Sequence, residues 1–294
     1  MSFDNAYQAL SAADDDGESR WAFGTGFDDP LSGVDSTLPD GADGAELGAY
    51  CLMLGDDALI AAHRLTELVT LAPELEDELA LANIALDLLG QARLLLSRAG
   101  QADGTGRDED RLAYFRDERE FRNVRLVELP VGDFGQTIAR LLVFSTWRLA
   151  LLRRLVDSRD PVLAAVAAKG VSEVTYHRDY AARWLVRLGD GTEHSHERAQ
   201  HGLDEIWPLV GELFETHATE RGLPAVAVRA EELRGEFDEI IAQVCAAATL
   251  DVPQAAPQAS VGGRAGRDGV HTEHLGYLLA EMQSLARAHP EATW

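Results

Sequence analysis

Carboxylates and imidazoles three or four residues apart on one helix can grip a shared metal ion, because those positions lie on one helical face. A carboxylate-bridged di-iron centre in a four-helix bundle asks for more: a Glu from each of two helices and an acid-x-x-His pair from each of the other two. Two segments of this sequence come close. Asp87-Leu88-Leu89-Gly90-Gln91 has the acid but carries Gly90 where an imidazole belongs. Glu173-Val174-Thr175-Tyr176-His177 carries Tyr176 at that position, with His177 one residue further round. No inward Glu stands around Leu59–His63 or Ser145–Arg148 to supply the other two helices. The spacing therefore predicts neither a metal site nor a catalytic residue. Glu173 with His177 is the remaining metal alternative, since i and i+4 still share a face. The structural reading is a buried polar network of Asp87, Gln91, Glu173 and His177.

Other chemistry-bearing residues point the same way. Glu193-x-x-His196 matches the ligand spacing literally, but it follows the turn Gly189-Asp190-Gly191-Thr192 and has no matching motif on a facing helix. His271 and His274 lack the further ligands zinc would need and read as a helix start or a contact between subunits. His63, alone in an apolar helix, reads as a core or interface residue. Cys51 and Cys245, the only two cysteines, make neither a disulfide framework nor a Cys-x-x-Cys pair and read as small buried apolar residues. Phosphate-binding loops, dinucleotide fingerprints and nucleophile elbows are missing from the sequence.

Long helices must position these residues. Apolar spacing predicts four of them near 46–70, 74–99, 133–157 and 161–187, with Pro73 closing the first and Pro161 opening the fourth. Short connections make them a bundle. A charged stretch runs from Asp108 to Val124, and three further helical segments follow at about 196–218, 224–249 and 271–288. Asp251 to Gly269, rich in Pro and Gly, reads as a long loop. The fold class expected is all-α, with extra helices packed beside the bundle.

The first 45 residues differ from the rest. They hold ten acids against Arg20 alone, a net charge of −9, interrupted by Trp21, Phe23, Phe27 and Leu31. Such a segment reads as an extended acidic arm able to fold onto a partner or onto its own chain. The whole sequence carries −24. That charge repels nucleic acid and anionic membrane, and no run of 18 uncharged apolar residues occurs, so a soluble cytoplasmic protein is expected.

A family resemblance adds to this reading. Leu54-Gly55-Asp56-Asp57, Ala72-Pro73-Glu74-Leu75-Glu76 and Leu79 through Arg93 open an ordered series of motifs. Phe115-Arg116-Asp117-Glu118-Arg119, Ser158-Arg159-Asp160-Pro161, Arg187 to Thr192 and His271 to Gly276 continue it. The series resembles the ferritin-like structural subunits of the phenylacetate-CoA oxygenase complexes, also called phenylacetyl-CoA 1,2-epoxidases. It covers residues 47–294 and leaves only the acidic arm outside. The resemblance implies a ferritin-like helical domain over 46–294 and a role in aerobic phenylacetate degradation. It implies a multicomponent monooxygenase in which a separate di-iron subunit does the chemistry. A further small subunit and a flavin and iron-sulfur reductase using NADPH would complete the complex, with no cofactor in this chain. Trp147, Arg148, Arg153, Arg154 and Trp184 are the interface anchors that residue type suggests. The rival readings are a di-iron oxygenase in its own right and an unrelated helical binding protein.

Overall fold

The computed structural model describes Leu31 and residues 33–292. Four long helices dominate it: α1 (Gly44–Val69), α2 (Leu75–Ala102), α4 (Phe134–Leu155) and α5 (Pro161–Gly189). Their bounds follow from local chemistry. Asp43 caps α1 by accepting from the Ala45 and Glu46 amides, and Asp133 caps α4 by accepting from Gln136. Asp160 accepts from Leu163 at the start of α5, where Pro161 takes the first helical position. Glu76, Asp77 and Glu78 load the positive end of the α2 dipole. The helix then runs through Gly100, where a Cβ would lie 1.8 Å from the Arg107 carbonyl oxygen, so a closely folded-back loop needs glycine there. All four helices fall where the apolar spacing puts them, to within about three residues.

The helices pair as antiparallel hairpins, α1 with α2 and α4 with α5, and the pairs meet mainly through α2 and α5. Between α2 and α4 lie a short helix, α3 (Glu109–Tyr114), and two 3-10 turns. A second layer follows: α6 (Glu193–Val210), the short α7 (Ala218–Gly222), α8 (Arg234–Ala247) and α9 (Glu273–Ala288). Helices α6 and α8 cover α4 and α5, and α9 packs on α3. No strand occurs among the described residues, an all-α architecture consistent with the ferritin-like expectation.

Two expected segments come out shorter. Helix α6 stops at Val210 and gives way to a 3-10 turn. The segment expected from residue 224 becomes helical only at Ala230, as a 3-10 turn, because Pro224 and Ala225 (φ 61°) form a turn first. The expected arm is described only from Leu31 and residue 33 onward, where Leu31, Val34 and Ala42 pack against the core; residues 1–30 lie outside the described residues.

Burial is uneven round the bundle. Helix α4 is inside on nearly every turn, whereas α2 buries one face and leaves Leu75, Leu79, Leu86 and Leu89 exposed on the other. By length and composition α2 alone among the described helices is apolar enough to cross a membrane, and half of that apolar window is buried against the bundle.

Candidate functional site

The inward stripe of α2 is Leu81, Ile84, Leu88, Gln91 and Leu95, and this register decides what reaches the bundle centre. Gln91 does. Its amide oxygen accepts from Arg148 Nε (2.9 Å) on α4, and its amide nitrogen donates to Glu173 (2.9 Å) on α5. Gly170 lies alongside it, and a Cβ there would crowd the Leu152 side chain at 2.9 Å. Arg148 also donates to the Leu54 carbonyl of α1 (3.3 Å), so its guanidinium ties α4 to both α1 and α2. Glu173 is further held by Lys169 (3.0 Å).

Arg148 is 1% exposed, and its Nη2 finds no hydrogen-bond partner. Burial pushes the guanidinium down to about 10, while Asp57 and Glu173 pull the other way. It stays charged at neutral pH.

The four residues expected in one buried polar network fall into two separate pairs. Gln91–Glu173 is one; His177–Asp87 (3.0 Å) is the other, with the His177 side chain 1% exposed and the Asp87 side chain 36%. Asp87 is thus at the rim rather than at the centre. The places expected for lost imidazoles are corrected outright. A Cβ on Gly90 would meet nothing within 4 Å, and Tyr176 is 51% exposed, so neither position faces the bundle centre. The reason is register, since Asp87 and Gly90 lie one step off the stripe that carries Leu88 and Gln91.

A di-iron centre does not fit these residues. At the centre a fixed cation, Arg148, and a neutral amide, Gln91, stand where a metal pair needs carboxylates and imidazoles. The one carboxylate there, Glu173, is engaged by Lys169 and Gln91, and the nearby His177 is bound to Asp87. No group of three or more His, Cys, Asp and Glu side chains is placed to hold a metal ion among the described residues.

Carboxylates do enter the bundle from α1, one turn before the stretch where an inward Glu would be needed. Asp56 and Asp57 are both fully buried. Asp56 is gripped by both Nη atoms of Arg116 and by the Arg122 amide (2.8 Å). Asp57 accepts from Arg267 Nη2 (2.8 Å) and Nη1 (3.0 Å) and from the Val124 amide (2.9 Å). Beside them Glu128 bonds His271 Nδ1 (2.6 Å) and the Thr272 amide (2.7 Å), and Arg125 pairs with Glu212 (2.7 Å). This clasp ties α1 to the loops at 116–128 and 266–272. It engages the Asp56-Asp57, Arg116 and His271 motifs in contacts that hold α1 to these loops.

The remaining candidates are also placed. His271 is a clasp member, and His274 offers its carbonyl to Arg64. His196 bonds the Gly189 carbonyl at the α5–α6 turn, with Glu193 exposed. His63 is partly buried, and burial, then Arg64, lowers its pKa. Cys51 and Cys245 are free and buried, as expected. Trp147 and Arg148 are corrected as interface anchors: both are core residues. Arg153 and Arg154 pair with Glu236, and Trp184 donates to Asp77 and meets Phe134 edge-on. Arg148 at the centre and Arg267 in the clasp are the key roles that sequence reasoning missed. A lone arginine inside the apolar run Leu141–Leu152 was the available signal for the first; nothing local marks the second.

Fold and site define a helical bundle whose centre is closed by a guanidinium. A family model described as phenylacetic acid catabolic protein matches residues 35–294. The chain is 47% identical over 251 residues to one subunit of the 1,2-phenylacetyl-CoA epoxidase of Escherichia coli (strain K12), covering 85% of this chain and 99% of that protein. The chain belongs to this family of phenylacetic acid catabolic proteins.

Proposed function

We propose that this chain is a non-catalytic structural subunit of a multicomponent phenylacetyl-CoA 1,2-epoxidase, acting beside a di-iron catalytic subunit of similar fold. The observation that carries this reading is the Arg148 guanidinium at the bundle centre, held by Gln91 and the Leu54 carbonyl. A cation built into the protein repels metal ions and leaves no open coordination position. What the chain offers instead is shape. The exposed leucine row of α2 (Leu75, Leu79, Leu86, Leu89) is the kind of apolar patch that marks a protein interface. In this reading di-iron, flavin, iron-sulfur and NADPH chemistry belong to other subunits, and a further small subunit and the reductase complete the assembly. The Escherichia coli relative carries the name of one subunit of an epoxidase, which supports a multisubunit setting.

A reconstituted assay with catalytic subunit, small subunit, reductase, NADPH and oxygen tests it. Epoxide formation is expected to collapse when this chain is omitted and to be absent when only the catalytic subunit is omitted. Full turnover in either omission would overturn the reading.

A further inference from the structure

Of the carboxylates buried in the clasp, Asp56 has Arg116, Asp57 has Arg267 and Glu212 has Arg125. Glu128 has no arginine. Its side chain is fully buried, and among the described residues the one basic side chain paired with it is His271, which is buried as completely. The other charged side chains around the ring are engaged elsewhere. Arg64 on α1 pairs with Glu67, Arg122 donates to the Arg119 and Phe121 carbonyls, and Asp268 on the ring's own loop pairs with His217. A buried carboxylate needs a counter-charge, and here only the imidazole can supply it.

The hydrogen bonds show where the protons sit. Glu128 Oε1 accepts from Asn123 Nδ2 (2.9 Å) and faces His271 Nδ1 (2.6 Å), while Oε2 accepts from the Thr272 amide and hydroxyl, both at 2.7 Å. The Asn123 amide is oriented by a second acceptor, the Val124 carbonyl (3.2 Å), so its Nδ2 is the donor toward Glu128. Three donors besides the ring thus point at this carboxyl group, an arrangement that suits a carboxylate. On the other side of the ring, His271 Nε2 lies 3.0 Å from the Phe121 carbonyl oxygen, which can only accept. A neutral imidazole has one N–H and can serve only one of these two acceptors. With both protons in place it serves both.

We propose that His271 is a buried imidazolium in the folded protein, and that its second proton latches the 266–272 loop and the start of α9 onto the bundle. Thr272 is the N-cap residue of α9, so the carboxylate that the ring neutralises also holds the helix entry. Loss of the proton leaves Glu128 buried without a counter-charge and turns a bare ring nitrogen toward an oxygen. The latch therefore weakens as pH rises. The inference does not rest on the subunit role, because its test uses this chain alone.

Nuclear magnetic resonance on the full chain, with its histidines labelled by nitrogen-15, reads the ring directly. At about pH 7.5 an ordinary imidazole, titrating near 6.5, is roughly nine-tenths neutral. His271, identified by through-space contacts to Phe121 and Thr272 and by the signal lost in His271→Gln, is expected to carry a proton on both nitrogens at that pH. Glu128→Gln puts a neutral amide in place of the anion and should return the ring to one proton, a change that a purely steric role for the ring would not produce. Chemical denaturation gives a second readout. The folded chain would hold about one proton more than the unfolded one, so the folding equilibrium constant of the parent relative to His271→Gln should fall by up to about tenfold per pH unit between about pH 7 and 8. A bare nitrogen at either ring position in the parent at about pH 7.5 would overturn the proposal. So would two protons persisting in Glu128→Gln, or equal pH slopes in the parent and His271→Gln.

Discussion

Around Asp57 the bundle meets a buried carboxylate with three donors, two from Arg267 and one from the Val124 amide. Around Arg148 it meets a buried guanidinium with a neutral amide and a long bond to a carbonyl, and leaves Nη2 bare. The first arrangement joins segments 210 residues apart, so the loop at 266–272 is anchored by charge. The second joins helices that apolar packing already holds together. At Asp57 every oxygen of the buried ion finds a donor; at Arg148, which fills a centre already packed, partial satisfaction suffices.

Breaking the clasp should therefore cost most. Arg267→Met leaves Asp57 buried without its counter-charge, and a loss of about 3–5 kcal/mol is expected in chemical denaturation. Arg148→Met should cost less than about 2 kcal/mol, because it removes a poorly paired charge and strands only the Gln91 oxygen. If the two variants were equally destabilised, the contrast between the regions would be gone.

The smallest effect sharpens the comparison from outside both regions. Burial lowers the His63 pKa in the folded state, so the unfolded chain binds the proton more readily. The stabilising contribution is present above the ordinary histidine value of about 6.5 and is lost as pH falls through it. Thermal scans at about pH 7.5 and about 5.5 should show a drop in Tm that is shallower in His63→Gln. Equal drops in parent and variant would assign the pH response elsewhere.

These contrasts also explain what could be read in the sequence. Helices α1, α2, α4 and α5 are legible because their apolar residues repeat at helical spacing, and Asp43, Asp133 and Asp160 cap three of them. The same spacing holds the register of the centre, since Leu81, Ile84, Leu88, Gln91 and Leu95 form one stripe; starting from the acid Asp87 leads one step off it. The clasp was not legible. Arg267 sits in a Gly-rich loop with no local pattern, and its role exists only when the chain has brought it to Asp57.

The central claim, that a guanidinium rather than a metal pair fills the bundle centre, meets its most direct test in elemental analysis. The full chain, its Arg148→Met variant and its Gly90→His/Tyr176→His variant would be produced in iron-rich medium and assayed for iron and for a bridging-oxo absorption band. The account predicts no stoichiometric iron in any of them, because the two added imidazoles would face away from the centre. Two irons per chain in the parent protein, with the oxo band, would contradict it.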